Sequence, residues 1–431
     1  MTAHDELLAR HRVVLPSWLT LTYDRPIALV DGEGRHVIDA EGNRYLDFFG
    51  GILTTMVGHA VPEVVDAIRT QAGRMVHTST LHLIEPMIEL AEKIAGLSTI
   101  RGAKVFFTTS GTEANEAALL VASSYRRSNQ VLALRNGYHG RSFATMGMTG
   151  NRGWSPSSLS PFVVHYVQNG YRFRSPFGHL DDAGFTSAIV EDLRDVLRTC
   201  TAGDVAAMVI EPIQGVGGFT VPPDGMWGAV QEVLREHGIL YVSDEVQTGW
   251  GRTGDHFWGF QAHGVEPDLI TFAKGIGNGL PIAGVIGRPE LMDAVTANSI
   301  STFGGGPLVS AGALATIGYL LDHDLQANAA AQGTRIRAVL DPLVDRHAQV
   351  GEVRGRGLMI GVELVEADGI TPAPDLAAGV LEETRRRGLL IGKGGLFGNC
   401  LRVAPPLSLT TAEADDGAAT LAAAIDDVLA P

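Results

Sequence analysis

Lys274 stands where an apolar stretch, Asp268-Leu269-Ile270-Thr271-Phe272-Ala273, runs into a glycine-rich turn, Gly275-Ile276-Gly277-Asn278-Gly279. A lysine delivered that way is presented as an amine rather than as a solvated charge. Partial desolvation lowers its pKa, and the neutral amine can attack an aldehyde to form a Schiff base. Thirty positions earlier (274 − 244), the run Ile239-Leu240-Tyr241-Val242-Ser243 ends in two adjacent carboxylates, Asp244-Glu245. A carboxylate held in a low-dielectric site beside a pyridine nitrogen keeps that nitrogen protonated, and the cationic ring becomes an electron sink. Asp244 suits that role, and Gln247 just beyond it can donate to a ring hydroxyl. A helix N-cap would account for one carboxylate but not for its place after a continuous apolar run.

Two further segments complete the requirements of a ring bearing an aldehyde and a phosphate. Thr109-Ser110-Gly111-Thr112-Glu113 follows a strand-like run and opens a helical one, so Gly111 lets the backbone approach an anion while Ser110 and Thr112 offer hydroxyls at a helix N-terminus. The same residues also read as a capping box, and the two readings are compatible. Gly137-Tyr138-His139-Gly140 places an aromatic pair between glycines, where Tyr138 can stack on a flat ring or serve as an ordinary strand-end aromatic. Arg402, in a strand-like stretch that stops at Pro405-Pro406, can clamp a carboxylate bidentately or be a surface strand charge. Taken together the groups suit pyridoxal phosphate, and no Walker or strand-linked dinucleotide motif competes with them.

Such groups must converge from distant positions, which calls for a sheet whose strand ends face one way. Apolar runs at 104–107, 130–134, 206–210 and 239–243 alternate with helical spacing, as in βαβ units with a mostly parallel sheet. Residues 27–49 alternate around Asp31-Gly32-Glu33-Gly34 and Glu41-Gly42-Asn43, the pattern of an antiparallel meander. After Pro307 an Ala-rich helical stretch leads to strand-like runs at 358–364 and 401–404. The expected fold is α/β: a large domain over 62–306, and a small α+β domain built from both chain ends, 1–61 and 307–431. The Gly/Pro/Ser-rich excursion at 150–182 is too long for an idle loop.

Composition narrows the partners. The 431 residues carry a formal charge of −15 without a Lys/Arg run, which argues against a nucleic-acid or anionic-membrane surface. With only Cys200 and Cys400, a disulfide framework or zinc cluster is excluded and a reducing compartment is expected. Residues 1–16 lack the basic-then-apolar order of a signal peptide and no stretch approaches a membrane span, so a soluble cytoplasmic protein is expected.

In this order and across nearly the whole chain, the motifs resemble the class III (ω-type) aminotransferases of the fold-type I pyridoxal-phosphate enzymes. The resemblance extends to Tyr45-Leu46-Asp47-Phe48-Phe49, Glu211-Pro212-Ile213-Gln214-Gly215, Gly249-Trp250-Gly251-Arg252-Thr253-Gly254 and Ser301-Thr302-Phe303-Gly304-Gly305. It implies that Lys274 forms the Schiff base, Asp244 pairs with the pyridine nitrogen, Tyr138 stacks on the ring, and Ser110, Gly111 and Thr112 cradle the phosphate. His139, Glu211, Val246 and Gln247 would complete the cofactor shell. Family members are homodimers or tetramers of dimers, and the threonine matching Thr302 reaches the neighbouring subunit's phosphate. Segments 256–261, 275–279 and 355–361 are similar to the alanine:glyoxylate and β-alanine:pyruvate branch. Ornithine and 4-aminobutyrate relatives carry a glutamate at the position of Val216, which neutralises the arginine matching Arg402. Here Arg402 should stay available for small acids with one carboxylate, with Trp18, Phe49, Ile52 and Tyr138 forming an apolar flank. The expected reaction is transamination to pyruvate or glyoxylate. A phospholyase, for which Arg172 and Arg174 are candidate phosphate ligands, and a non-enzymatic binder on the same fold are the alternatives.

Overall fold

The computed structural model describes residues 3–430. Near the amino end, β1 (Leu29–Glu33), β2 (His36–Asp39) and β3 (Arg44–Asp47) form the antiparallel meander expected from the alternation. The central sheet follows: β4 (Lys104–Thr108), β5 (Gln130–Leu134), β6 (Val163–Val167), β7 (Ala207–Ile210), β8 (Leu240–Asp244), β9 (Leu269–Phe272) and β10 (Ala283–Gly287). Their order is β4-β10-β9-β8-β7-β5-β6, and only β10 runs against its neighbours. Strand β6 comes from the excursion at 150–182, which thereby supplies the edge of the sheet.

Successive residues of a strand face opposite sides, and both sides of this sheet are covered. Leu132 and Leu134 of β5 face one layer with Met208 and Tyr241, against Phe185, Leu193 and Trp227 of the helices Asp182–Thr199 and Met226–Glu236. Val131 and Ala133 face the other, with Val209 and Val242, against Ala118, Leu119 and Ala122 of the helix Gly111–Arg126. This is why the runs read as continuously apolar rather than alternating. Because six strands share one direction, Thr108, Leu134, Ile210, Asp244 and Phe272 all end on one edge, where ligands of such sheets bind.

Both chain ends build the remainder. The carboxyl-terminal part contributes β11 (Val350–Arg356), β12 (Met359–Leu364), β13 (Leu389–Leu390), β14 (Gly392–Gly394) and β15 (Cys400–Val403). Four of these make the sheet β11-β12-β15-β14, while β13 crosses to pair in parallel with β3, joining the two ends of the chain. Arg252, buried with its pKa lowered by burial to about 9, donates from Nη1 to the carbonyls of Leu358 and Pro405 and ties this sheet to the central one. The helix Pro307–Asp322 packs on the helices Pro62–Arg74 and Glu85–Leu97. No described helix is long and apolar enough to cross a membrane.

The helix Leu325–Leu340 meets the Arg356–Gly357 turn through Gly333, where an added Cβ would collide with the Gly357 backbone carbonyl. Gly357 is itself fixed at φ +52 against the backbone of Arg252 and Thr253. Gly333→Ala, a change worth about 1 kcal/mol of stability in an open helix, should here cost about 1–3 kcal/mol by overpacking. Thermal melting should show a lowered Tm for it and none for Gly318→Ala, whose Cβ meets nothing within 4 Å.

Candidate active site

The carboxyl ends of five strands and the turns that follow them supply the expected groups to one cleft of about 340 Å³. Ser110 and Gly111 come just after β4, Tyr138 and His139 after β5, Glu211 after β7, Asp244 closes β8, and Lys274 sits two residues beyond β9. Strands β8 and β9 are paired with Asp244 opposite Thr271, which is how two residues 30 apart (274 − 244) reach one ligand.

Asp244 is buried and multiply held. Its Oδ2 accepts from Asn115 Nδ2 at 2.8 Å and lies 2.8 Å from His139 Nδ1, while Oδ1 accepts from the Val246 N–H at 3.2 Å. Asn115 also donates to the His139 carbonyl and accepts from Thr271 Oγ1 at 2.8 Å. Burial alone would lower the His139 pKa, but its hydrogen bond to Asp244 and that group's charge outweigh burial and raise it. Asn115 escaped the sequence reading. A buried amide in an otherwise Ala-rich helix, one turn past the Ser110-Gly111-Thr112 cup, was the available signal.

Lys274 adopts φ +51, a left-handed conformation unusual for a residue with a side chain. Asn278, also left-handed, anchors the turn after it by accepting from the Val57 N–H and donating to the Gly58 carbonyl. Among the described residues the Lys274 amine has no hydrogen bond or ion pair. Burial, and next the charge of Arg402, lower its pKa to about 8. Glu211 is fully buried and accepts from the backbone N–H groups of Tyr138 and Gly215; burial raises its pKa to about 7.

At the opposite end of the cleft, Ser110 caps the helix Gly111–Arg126 through the Glu113 N–H. The Gly111 and Thr112 N–H groups have no partner among the described residues and face an open dipole end. Gly140 has φ +137 and lies so near Thr112 that a Cβ would approach its Oγ1 to 2.6 Å. Tyr138 stands edge-on to Trp154, with ring centroids 5.6 Å apart. An amine, a paired carboxylate at the strand end and a helix N-terminus around a cavity of this size fit pyridoxal phosphate.

Arg402 reaches the same region from β15. It is buried, stacks 4.5 Å over the Phe219 ring, and donates from Nη2 to Gln247 Oε1 at 2.9 Å, while its Nε has no partner. Gln247, expected at a ring hydroxyl, is thus engaged by the arginine. It lies flat over Gly215, where any Cβ would collide with its amide. Burial lowers the Arg402 pKa to about 10, still a cation at neutral pH. Val216 is buried and offers Arg402 no carboxylate.

Other expected residues lie elsewhere in this chain. Phe49 and Ile52 border a separate apolar cavity of about 410 Å³ with Leu21, Tyr23 and Ile27. Trp18 is 69% exposed and covers the guanidinium of Arg141 at 5.6 Å. Arg141, one position beyond Gly140 and anchored by its N–H to Thr112 Oγ1, is a second cation near the cleft that sequence reasoning passed over. Thr302 is exposed and does not line the cleft. Arg172 and Arg174 are paired with Asp182 and Glu363 and lie outside the cleft lining.

A family model described as "Aminotransferase class-III" matches residues 22–425. "Alanine--glyoxylate aminotransferase 2 homolog 2, mitochondrial" of Arabidopsis thaliana is 39% identical over 413 residues, covering 95% of this chain and 85% of its own. The crystal structure of an (S)-enantioselective ω-transaminase from Thermomicrobium roseum superposes over 100% of both chains with a TM-score of 0.91 at 35% identity. An amine transaminase from an uncultivated Pseudomonas species, solved in its PLP-bound form, has a TM-score of 0.86 at 31% identity, covering 94% of this chain and 95% of that one.

An amine with a pKa near 8 is protonated below that pH and nucleophilic above it. Capture of pyridoxal phosphate by the cofactor-free protein, followed as growth of visible absorbance, should therefore accelerate with rising pH and level off above about pH 8. An ordinary solvated lysine would keep accelerating toward pH 10.5.

Proposed function

The chain belongs to the class III aminotransferases and is a pyridoxal-phosphate-dependent transaminase; on that premise we propose that it moves the amino group of a small amine or amino acid, α or terminal, to pyruvate or glyoxylate by a ping-pong route. The observation that carries the reading is the convergence of Lys274 and Asp244 from paired strand ends on one cleft. Pyridoxal phosphate, when bound, supplies the aldehyde that takes up an amine and the ring that withdraws electrons from the adjacent carbon.

The protein's own residues do the rest. Lys274 Nζ, as the general base of the site, would take the proton from the carbon bearing the nitrogen and later give it back. Its lowered pKa suits a base that works near neutrality. Asp244, held by Asn115 and His139, would keep the ring nitrogen protonated, and Ser110, Gly111 and Thr112 would hold the phosphate. Tyr138, His139, Glu211 and Val246 would border the ring. We assign cofactor holding to residues 62–306 and the substrate handle to the small domain from 1–61 and 307–431.

Substrate choice follows from Arg402. Its partner is the neutral Gln247 and not a carboxylate, so an incoming carboxylate competes with a single neutral hydrogen bond. That favours acids with one carboxylate, in keeping with the alanine and glyoxylate in a relative's name. In this reading the apolar flank comes from Phe49, whose ring packs on Gly392 beside Arg402, and from Ile52, which shares its neighbouring cavity. The active form is proposed to be a homodimer or a tetramer, with Thr302 completing the neighbouring site. Exposed Ile300 and Phe303 beside it, and Leu81 and Leu83, give that contact an apolar surface. The two free thiols suit a reducing compartment such as the cytoplasm.

Lys274→Ala should eliminate the visible absorbance of the lysine-bound cofactor and reduce turnover by about 10³-fold or more. Full activity in that variant would sink the assignment. Asp244→Asn should retain cofactor yet lose about 10²–10³ in kcat. A donor panel, scored by the spectral change of the cofactor with pyruvate and glyoxylate as separate acceptors, should favour monocarboxylate donors. Arg402→Gln should raise KM for those donors while sparing simple amines.

A further inference from the structure

A cavity larger than the cofactor cleft, about 1070 Å³ against about 340 Å³, lies at the amino ends of β8 and β9, the opposite end of the strands that carry Asp244 and lead to Lys274. Its walls hold four arginines, Arg101, Arg126, Arg235 and Arg288, against two carboxylates, Glu266 and Asp268, a local balance of +2 (4 − 2) in a chain whose formal charge is −15. Two of the four are already answered. Arg235 bonds to Glu232 and Glu266, and Arg288 pairs with Asp268 and Glu290.

The other two are not. Among the described residues, Arg101 and Arg126 make no hydrogen bond or ion pair. Arg126 is half-buried at the end of the helix Gly111–Arg126, and its guanidinium is held against Gly238, where an added Cβ would lie 3.3 Å from Nη1. Its Nε is buried without an acceptor. A buried donor without a partner is costly, and a cation fixed beside a cavity needs little further ordering to bind. Tyr125, 45% exposed on the same rim, offers an aromatic face. Gln231 spends both ends of its amide on the backbone of Glu266 and is wall rather than ligand.

We propose that this cavity is a second anion site, distinct from the cofactor's phosphate cup, which binds a phosphorylated ligand through Arg101 and Arg126. Guanidinium groups take phosphate oxygens in pairs, and the volume admits a molecule as large as a nucleotide. The acidity of the rest of the chain means that any such affinity is local to these arginines.

The test uses the holoenzyme, whose phosphate cup is already filled, and titrates inorganic pyrophosphate and metal-free ATP by calorimetry. Saturable binding should appear and weaken about tenfold or more in Arg101→Gln/Arg126→Gln, while the visible absorbance of the bound cofactor stays unchanged and reports an intact fold. Tighter binding of ATP that falls to the pyrophosphate level in Tyr125→Ala assigns a nucleotide; equal affinities assign the phosphates alone. Absence of saturable binding by both probes, or an unchanged affinity in the double variant, overturns the proposal.

Discussion

A carboxylate buried at the end of a sheet strand must be paired, and the pairing of Asp244 organises this molecule. An uncompensated charge there would be destabilising by several kcal/mol, so the fold surrounds it with partners: Asn115 from the helix after β4, His139 from the loop after β5, and the Val246 N–H from its own turn. Thr271 on the neighbouring strand orients Asn115 in turn. The network thus spans β4, β5, β8 and β9 and fixes the relative position of the Ser110-Gly111-Thr112 turn, the Tyr138-His139 loop and the lysine turn. The raised pKa of His139 places a second proton carrier against the same carboxylate.

Against that rigid base the lysine is held in a less relaxed state. Lys274 has a left-handed backbone, and Asn278 staples its turn to the amino-terminal segment at Val57 and Gly58. Among the described residues the amine has no hydrogen bond or ion pair, and burial with the charge of Arg402 lowers its proton affinity. Two cations close together raise each other's cost, and the carboxylates of the cleft, Asp244 and Glu211, offset part of it.

The arginine illustrates how the two parts of the chain cooperate. Arg402 belongs to the small sheet, opposite Gly361 and Gly392, yet its head bonds to Gln247, just beyond β8 of the central sheet. Glycines at 215 and 394 leave the room, since a Cβ at either would meet Gln247 or Arg402. Arg252 also bridges these parts by donating to the carbonyls of Leu358 and Pro405. A neutral partner holds the guanidinium in place without cancelling its charge.

Much of this was legible in the chain itself. Continuous apolar runs announced strands covered on both faces, the alternation at 27–49 announced a meander, and residue type and flanks singled out Lys274, Asp244 and the Ser110-Gly111-Thr112 turn, which share one cleft. Local sequence determines such features because strand burial, turn conformation and helix capping are set by residues a few positions apart. Strand order, the antiparallel β10, the two-residue β13 that joins the chain ends, and the partners Asn115, Asn278 and Gln247–Arg402 were not legible. They arise between residues as far as 343 positions apart (389 − 46), and amide side chains have no local pattern that reveals which distant group they will meet. The sequence by itself determined which reactive groups this protein possesses and on what kind of element each sits; only the tertiary structure decided which of them share a cleft, because hydrogen bonds and burial across the sheet are formed by packing and not by proximity along the chain.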